Sequence, residues 1–421
     1  MSWLYSTAIS LFLLGWAPSV LTQMVLRGKY RRDIAERFGG VAPWEGPATP
    51  VWLHAVSVGE ATAAAPLARL LVSRHPEVPL IASTTTETGR AVAEQRIAAA
   101  RFVFFPLDFR WAAARALTRL RPRLVLLTET ELWPNFLAAC AARRIPVVLI
   151  NGRISPRSFP RYRLVRRWFG RVLQDVRLFC MQSAADADRI LALGAPAERV
   201  TVTGNLKYDL PALEQAVDVP AIRAGLGLPP LYRLVIAGSI HRGEDGPVIE
   251  AFRSAAASRR DLCLLVAPRH PERLEEVERL VVKAGVPCVR RSRLPAESAR
   301  EGGAILLDTM GELARLYAAA SVVFVGGSLI PHGGQNILEP AAYGRPILHG
   351  PHMGNFAEMR DRFREADAAL QVADGPALAE GLQVLLDDAA RAERMGQAGR
   401  AIVEAQRGAT RRTADLVGAL L

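Results

Sequence analysis

The stretch SVVFVGGSLIPHGGQNILEP, residues 321–340, joins an apolar run, a glycine-rich turn and the start of a helical pattern. The apolar run is continuous rather than alternating, which is typical of a parallel strand buried on both faces. Glycines at a strand end let backbone N–H groups approach an anion, and a following helix adds its dipole. The stretch predicts a strand, a phosphate site and a helix beginning near Gln335 or Asn336, although tight packing explains the glycines equally well.

The same alternation of short apolar runs and longer helical patterns continues on both sides of residues 321–340. The other predicted strands are VWLHAV (51–56), PLIAST (79–84), RFVFFP (101–106), RLVLLTE (123–129), PVVLIN (146–151), RLFCMQ (177–182), RVTVTG (199–204), YRLVIAGS (232–239), LCLLVAP (262–268), AILLD (304–308) and RPILHG (345–350). Right-handed crossovers place the C-terminal ends of parallel strands on one edge. The sequence therefore predicts an α/β fold of two Rossmann-like, doubly wound domains with an interdomain cleft.

Length and composition set the predicted domain boundaries. A chain of 421 residues exceeds what one hydrophobic core usually organises. A polar stretch with several prolines, roughly residues 208–230, is the predicted linker. We predict one domain over residues 27–210 and a second over residues 211–421 that ends in C-terminal helices.

The first 26 residues contain no charged side chain, and residues 3–25 are long and apolar enough to cross a bilayer. This pattern predicts a retained N-terminal membrane-anchor helix over residues 1–26, with a buried amphipathic helix as the alternative. The basic cluster that follows predicts the cytoplasmic side of a bacterial inner membrane, by the positive-inside rule. The four cysteines are far apart, which agrees with a reducing compartment.

The net charge of +12 and the isoelectric point near 10.2 predict an anionic partner. Nucleic acid, anionic membrane lipids and a phosphorylated substrate all fit this charge. Residues 153–171 hold seven arginines and no acid, together with four aromatic side chains, and a solvated basic face is the alternative interpretation. No nucleic-acid-binding motif is present, so we expect no nucleic-acid partner. The sequence does not indicate an oligomeric state.

Candidate catalytic groups follow the strands of the first half. Glu60 lies at a predicted helix start, where a carboxylate suits a general base or simply stabilises the helix. Glu129 and Glu131 follow another strand, and Lys207, one of three lysines, lies near the linker. These residues predict a polar substrate site, with a helix-capping role for the acids and a solvated lysine as the alternatives.

In the second half, APRHPER (267–273) and DTMGEL (308–313) also follow predicted strands. Arginine and histidine at such a position are donors suited to a phosphate. Neither G-x-x-x-x-G-K-[ST] nor G-x-G-x-x-G occurs, so a P-loop or a standard NAD site is not predicted. The acid pair Asp186 and Asp188 lies in an amphipathic pattern and is interpreted as helix surface. The histidines have no ligand spacing, so we expect no metal or other cofactor.

Eight of these blocks together resemble one family. VWLHAVSVGE, STTTETGR, LTETELWPN, NGRIS, TGNLKYD, APRHPER, DTMGEL and GGQNILEPAAYGRPILHGPHMGNF are similar to the 3-deoxy-D-manno-octulosonic acid (Kdo) transferases. The resemblance implies a GT-B fold and an inverting, metal-independent transfer of Kdo from CMP-Kdo to a lipid A precursor, lipid IVA, in lipopolysaccharide assembly. The implied partners are CMP-Kdo, the lipid A precursor and anionic inner-membrane lipids. The alternative is another GT-B enzyme that uses a UDP-sugar, either a transferase or an epimerase.

The resemblance also implies roles for individual residues. Glu60 corresponds to the base that deprotonates the acceptor hydroxyl, and Glu129 and Lys207 correspond to groups that stabilise the transition state. Either Glu129 or Glu131 of the TETE run fits that last role. The implied CMP contacts are Pro268, Arg269, Met310, Gly311, Glu312, Asn336, Ile337, Leu338 and Glu339.

Overall fold

A computed structural model describes Tyr5, Thr7 and residues 34–209, 217–295 and 302–421. The chain forms two compact units, of which the first combines Met1–Asp209 with Gln406–Leu421 and the second is Leu210–Ala405. Each unit contains one seven-stranded sheet in which every described strand pair is parallel. The prediction of two parallel α/β domains is confirmed.

The sheet of the first unit has the strand order β3-β2-β1-β4-β5-β6-β7. Its strands are β1 (Val51–His54), β2 (Leu80–Thr84), β3 (Arg101–Phe104), β4 (Leu124–Thr128), β5 (Val147–Gly152), β6 (Leu178–Met181) and β7 (Val200–Val202). The direction of winding reverses between β1 and β4. In doubly wound sheets, a crevice for ligands opens at the carboxyl ends of the strands at this switch point.

Helices cover this sheet. They are α1 (Ile34–Arg37), α2 (Val58–Arg74), α3 (Glu87–Arg96), α4 (Arg110–Leu120), α5 (Pro134–Ala141), α6 (Phe159–Leu164), α7 (Arg166–Leu173) and α8 (Ala184–Ala192), with 3₁₀ turns at Ala197–Arg199 and Leu206–Tyr208. Ser57, Thr86 and Ser183 cap α2, α3 and α8, because each side-chain oxygen accepts a hydrogen bond from a backbone N–H of the first turn.

The central strands of the first unit are buried on both faces, as continuous apolar runs predict. Trp52 of β1 packs in the hydrophobic cluster on one face of the sheet, and its neighbour Leu53 packs in the cluster on the other. The side chains of β1 and β4 are all buried. At roughly 25 cal/mol per Å² of buried apolar surface, these two clusters supply much of the stability of the unit and hold its strand ends in fixed positions.

The second unit repeats this plan with the strand order β10-β11-β9-β8-β12-β13-β14. Its strands are β8 (Arg233–Ile240), β9 (Leu262–Pro268), β10 (Cys288–Arg290), β11 (Ala304–Leu306), β12 (Val322–Val325), β13 (Ile347–His349) and β14 (Leu370–Gln371). The switch point lies between β8 and β12. Two short edge strands, β10 and β14, were not predicted from the sequence.

The helices of the second unit are α9 (Val219–Gly225), α10 (Asp245–Ala256), α11 (Leu274–Lys283), α12 (Leu313–Leu316), α13 (Leu338–Ala342), α14 (Ala357–Glu365), α15 (Gly375–Asp387) and α16 (Ala389–Gln406). Further 3₁₀ turns lie at Pro271–Arg273, Arg291–Arg293, Tyr317–Ala319 and Gly354–Phe356. The helix after the glycine turn therefore begins at Leu338, later than the predicted Gln335 or Asn336.

The last helix, α17 (Ala409–Gly418), corrects the predicted second domain of residues 211–421. It belongs to the first unit, where it packs beside α2. The carboxylate of Asp209 accepts hydrogen bonds from the backbone N–H groups of Gly408 at 2.7 Å and Thr410 at 2.6 Å. Arg74 on α2 forms an ion pair with Asp415 at 2.6 Å. The chain therefore returns to the first unit at Gln406.

The predicted anchor over residues 1–26 lies outside the described residues, apart from Tyr5 and Thr7. In the stretches that the structure does describe, no helix combines the length and the apolar character needed to span a bilayer. Tyr5 lies against the first unit, where its ring is 5.4 Å from that of Trp168.

Candidate active site

Glu60 lies in the first turn of α2, beside the switch point of the first sheet. Its Oε2 atom accepts hydrogen bonds from the backbone N–H of Val56 at 2.9 Å and from Thr128 Oγ1, at the end of β4, at 2.5 Å. Its Oε1 atom accepts a hydrogen bond from Ser57 Oγ at 2.9 Å. The bond to Thr128 joins the first turn of α2 to the end of β4, so the carboxylate has a fixed orientation.

The pKa of Glu60 depends on two opposing influences, burial and hydrogen bonding. Burial raises the pKa of this carboxyl above its ordinary value, whereas the hydrogen bonds from Thr128, Val56 and Ser57 favour the charged form. The nearby Glu129 carboxylate raises the pKa further. The helix dipole favours the charged form of a carboxylate in a first turn, but the net shift follows burial, which is the largest influence. A carboxylate with a raised pKa accepts a proton more readily.

Glu129 and Lys207 form the second part of the site. The Lys207 ammonium nitrogen lies 3.1 Å from Glu129 Oε1, and both side chains are mostly buried. Glu129 follows β4 directly in a left-handed conformation with φ of 50°. Its backbone N–H donates to the carbonyl of Ile150 at 3.0 Å, which keeps it aligned with β5. The structure thus brings together two residues that are 78 positions apart in the sequence.

Three buried amide side chains hold the turn that carries Lys207. Asn151 Oδ1 accepts a hydrogen bond from the backbone N–H of Leu206 at 3.0 Å, and Asn205 Oδ1 accepts one from Lys207 N at 3.0 Å. Gln182 connects them, because it donates to the Asn151 carbonyl at 2.9 Å and accepts from Asn205 Nδ2 at 3.0 Å. Sequence reasoning did not identify these amides as positioning groups, although Asn151 and Asn205 lie within the NGRIS and TGNLKYD blocks.

Glu131, the other acid of the TETE run, has a different partner. Its carboxylate accepts a hydrogen bond from the Trp133 indole N–H at 2.8 Å. Burial raises the pKa of Glu131 to about 7, and the Glu60 and Glu129 carboxylates contribute to that rise. Glu129, rather than Glu131, is therefore the acid that the structure pairs with Lys207.

A basic groove in the first unit holds part of the arginine cluster between residues 153 and 171. It has a volume of about 1140 Å³ and is lined by Tyr5, Trp168, Leu164, Val165 and the arginines Arg163, Arg166, Arg167 and Arg171, among others. Leu164 is 87 % exposed, so apolar surface lies among the arginines. Two of the aromatic side chains in the cluster pack inward instead. Phe169 belongs to the core, and Tyr162 stacks on it with ring centres 4.9 Å apart.

The predicted donor residues of the second unit follow β9, β11 and β12. Pro268 ends β9, and Arg269 comes next, with its backbone N–H donating to the carbonyl of Ile240 at 2.9 Å and its side chain exposed. Met310 is 78 % exposed, and Gly311 adopts a positive φ of 83°. Glu312 forms an ion pair with Arg291 at 3.0 Å.

The four predicted CMP contacts at residues 336–339 differ in the burial of their side chains. Asn336 Oδ1 accepts a hydrogen bond from the backbone N–H of Leu338 at 3.1 Å, and Asn336 Nδ2 donates to Glu339 Oε1 at 3.1 Å. The side chains of Ile337 and Leu338 are completely buried. Contacts from these two residues to a ligand are therefore limited to their backbone atoms.

A buried carboxylate organises the glycine turn, which sequence reasoning missed. Glu244 is fully buried and accepts four backbone N–H groups. One oxygen accepts from His241 at 2.9 Å and Gly327 at 2.7 Å, and the other from Ser328 at 2.9 Å and Leu329 at 3.0 Å. The amides of residues 327–329, which belong to the turn predicted to bind a phosphate, are therefore already bonded within the protein.

No metal-ligating group of three or more histidine, cysteine, aspartate or glutamate side chains occurs among the described residues.

Asp186, interpreted above as helix surface, is buried instead. Its carboxylate accepts hydrogen bonds from the backbone N–H of Ile154 at 3.0 Å and from the guanidinium of Arg189 at 3.2 Å. Asp188 is exposed, so the two acids do not share one environment.

Comparisons with known proteins agree with the resemblance seen in the motifs. A family model described as 3-Deoxy-D-manno-octulosonic-acid transferase (kdotransferase) matches residues 32–210. The 3-deoxy-D-manno-octulosonic acid transferase of Bordetella pertussis is 37 % identical over 427 residues, covering 96 % of this chain and 97 % of that protein. The enzyme of the same name from Haemophilus influenzae is 35 % identical over 400 residues, covering 92 % of this chain and 91 % of that protein.

A solved structure shows the same fold at low sequence identity. The UDP-GlcNAc 2-epimerase of Neisseria meningitidis bound to UDP-GlcNAc matches with a TM-score of 0.54 and 15 % identity, covering 84 % of this chain and 98 % of that one. That likeness concerns the fold alone. The identity to the two transferases over nearly the whole chain is the decisive finding, and the chain belongs to the 3-deoxy-D-manno-octulosonic acid transferase family.

Proposed function

We propose that this protein is a GT-B glycosyltransferase that transfers Kdo from CMP-Kdo to a lipid A precursor, lipid IVA, in lipopolysaccharide assembly. The proposed reaction inverts the anomeric carbon, needs no metal and takes place at the cytoplasmic face of the inner membrane. Family membership supports the transfer of Kdo. The single structural observation that supports the mechanism is the Glu60 carboxylate, which Thr128, Val56 and Ser57 hold at the switch point of the first sheet.

In the proposed step, Glu60 is the general base. A hydroxyl oxygen of the acceptor attacks the anomeric carbon of Kdo, the bond from that carbon to the phosphate oxygen breaks, and CMP leaves with the electron pair. The hydroxyl proton passes to Glu60. A single displacement of this kind inverts the anomeric centre. A positioned base contributes ~10² to 10⁴-fold to such a rate, and the raised pKa of Glu60 suits it to accept the proton.

The proposed role of Lys207 is electrostatic. Charge moves from the acceptor oxygen to the leaving phosphate during the transfer, and a preorganised cation lowers the energy of that state. Glu129 fixes the ammonium group at 3.1 Å, and the buried amides of Asn151, Gln182 and Asn205 fix the turn behind it. Because these contacts hold the Lys207 ammonium group in place, it needs little movement during the reaction.

The basic groove supports the proposed acceptor. Arginine side chains form paired hydrogen bonds with phosphate oxygens, and the exposed Leu164 beside them suits an acyl chain. Burial raises the pKa of Tyr162 on α6, and the nearby Glu131 carboxylate contributes to that rise, so this helix lies near the acids that follow β4. We therefore assign the groove to the phosphorylated end of the glycolipid.

The decisive experiment is a transfer assay with the purified full chain, CMP-Kdo and a tetraacylated lipid A precursor, read by mass spectrometry. The expected product is heavier than the acceptor by one or more Kdo residues. A thermal-shift series tests the donor class separately, because a ligand that binds the native state raises the melting temperature. Stabilisation by CMP but not by UMP or UDP is expected. Stabilisation by UDP alone, with no product, would favour a UDP-sugar enzyme instead.

A further inference from the structure

Glu131 is an acid that the proposed mechanism does not use, although it lies beside two residues that the mechanism does use. Burial raises the pKa of Glu131, and the Glu60 and Glu129 carboxylates are near enough to contribute to that rise. Glu129 is paired with Lys207, whereas Glu131 accepts a hydrogen bond at Oε2 from the Trp133 indole N–H at 2.8 Å. The Glu131 side chain is only partly buried. Because an ionised carboxylate accepts hydrogen bonds at both oxygens, Glu131 can also bind a donor on a ligand.

The segment that carries Glu131 is held at both ends. At its start, the backbone N–H of Glu131 donates to the carbonyl of Thr128 at 3.2 Å, which closes a tight turn directly after β4. At its end, the Asp108 carboxylate accepts hydrogen bonds from the backbone N–H groups of Asn135 at 3.1 Å and Phe136 at 2.7 Å, in the first turn of α5. A side chain on a segment fixed in this way loses little conformational freedom when it binds a ligand.

An aromatic surface extends from Glu131 towards the basic groove. Trp133, Phe159, Tyr162 and Trp168 are all partly buried, and all four pack on the same hydrophobic cluster of the first unit. Tyr162 is near enough to Glu131 for that carboxylate to contribute, after burial, to the raised pKa of the Tyr162 hydroxyl. Trp168 lines the groove itself, beside the arginines. Partly exposed rings therefore connect the acids that follow β4 with the groove.

This arrangement offers a surface for a sugar between the proposed base and the basic groove. Glu131 is near both Glu60 and Tyr162, so it lies where the reacting hydroxyl and the groove meet. A sugar presents hydroxyl groups at its edge and C–H groups on its faces, and a carboxylate beside aromatic rings suits both. Since Glu60 takes the attacking hydroxyl, Glu131 is available for another hydroxyl of the same sugar.

We propose that Glu131, Trp133 and Tyr162 form the subsite for the sugar of the acceptor, in which the Glu131 carboxylate accepts a hydrogen bond from a hydroxyl other than the attacking one. The two aromatic rings contact the C–H groups of that sugar. This inference rests on the proposed function and deepens it, because it assigns recognition of the acceptor sugar to residues other than the base. Glu131 is then a specificity-determining residue, and the indole N–H of Trp133 orients it. A hydrogen bond to an ionised carboxylate belongs to the stronger class.

The test is a set of steady-state measurements with the full chain, saturating CMP-Kdo and increasing concentrations of the tetraacylated lipid A precursor. The assay is run at about pH 8, because burial raises the pKa of Glu131 to about 7 and its carboxylate must be ionised. Glu131→Gln keeps an oxygen for the Trp133 N–H but loses the charge. Its KM for the precursor should rise about tenfold, the difference between a charged and a neutral hydrogen bond, while kcat changes by less than about threefold.

A second variant and a control distinguish recognition from folding. Trp133→Phe keeps an aromatic ring but removes the N–H that orients Glu131, so its KM for the precursor should also rise, with kcat nearly unchanged. The double variant should show less than the product of the two single effects, because both changes act on one carboxylate. Glu198→Gln changes an exposed acid of the same unit and should keep the wild-type KM and kcat. The dissociation constant for CMP should stay at the wild-type value in all four variants.

The outcomes separate the subsite from the proposed function. Product formation with an unchanged KM in Glu131→Gln would overturn the subsite and leave the transferase proposal standing. A fall in kcat without a rise in KM would place Glu131 in the transition state instead, and a lowered melting temperature with weaker CMP binding would show a structural role; either result contradicts the subsite.

If the wild type forms no product, the proposed function fails, and calorimetric titration with the precursor alone still tests the subsite. Binding that is about tenfold weaker in Glu131→Gln than in the wild type would support the subsite. Equal binding by the two proteins, or no binding by the wild type, would overturn the subsite as well.

Discussion

Replacing Glu60 with glutamine tests the proposed base with little disturbance of the fold. The glutamine oxygen can keep the place of Oε2 and accept from Val56 N–H and Thr128 Oγ1, while its NH₂ group faces Ser57. The Ser57 hydroxyl can rotate and accept from that NH₂ group, so all three hydrogen bonds survive in altered form. The expected cost in the free energy of unfolding is therefore about 1 kcal/mol or less.

The catalytic cost of the same change is much larger. An amide cannot accept the hydroxyl proton, so kcat for transfer from CMP-Kdo to the lipid acceptor should fall by ~10² to 10⁴-fold. The dissociation constant for CMP and the melting temperature serve as controls and should stay near the wild-type values. In the wild type, kcat should fall on acidification at a pH above the ordinary glutamate range, because protonation removes the base and burial raises its pKa. A Glu60→Gln enzyme that keeps more than about a tenth of wild-type kcat would refute the assignment.

The remaining predictions concern the other carboxylates. In the same transfer assay, Glu129→Gln should reduce kcat by about tenfold or more, because Glu129 pairs with Lys207. Glu131→Gln should reduce kcat by less. A larger loss in Glu131→Gln than in Glu129→Gln would assign the stabilising role to Glu131. The pKa of Glu131 is raised to about 7, so its ionisation should lower the free energy of unfolding by about 1 to 3 kcal/mol as pH rises from 4.5 to 7. Denaturant unfolding of Glu131→Gln should lack that part of the slope, and an unchanged slope would contradict the shift. Asp209→Ala removes two hydrogen bonds at the start of α17, so the free energy of unfolding should fall by about 2 to 3 kcal/mol in the same denaturant experiment. A fall below about 0.5 kcal/mol would show that Asp209 does not anchor α17.

The sequence predicts the strands well where burial dictates composition. All twelve predicted strands occur in the structure. A central strand such as β4 is covered on both faces and is therefore apolar along its length, whereas the predicted edge strand β7 is partly exposed. The two unpredicted strands, β10 with three residues and β14 with two, are edge strands paired on one side only. Such short segments carry no periodicity that distinguishes them from loops.

The candidate site was predictable to the extent that topology determines it. Residues that follow the two strands at a switch point lie close together. Once β1 and β4 are known to be these strands, Glu60 and Glu129 are expected to be neighbours. The partners of these acids were not predictable. The burial of Asp186 and the return of α17 to the first unit depend on bonds between residues far apart in sequence, and local patterns do not contain that information.

Glu244 shows how such a distant bond changes a functional interpretation. From the sequence, the glycines after the strand and the helix that follows them offer backbone amides to a phosphate, and the interpretation is physically sound for an isolated loop. A carboxylate more than eighty residues earlier accepts those same amides, because α10 begins directly after it and brings it beneath the turn. An amide N–H that already donates to a buried carboxylate can bind a second anion only by giving up the first, which would leave Glu244 buried without its partners. The amides of residues 327–329 therefore serve to shape the switch point of the second sheet rather than to bind an anion.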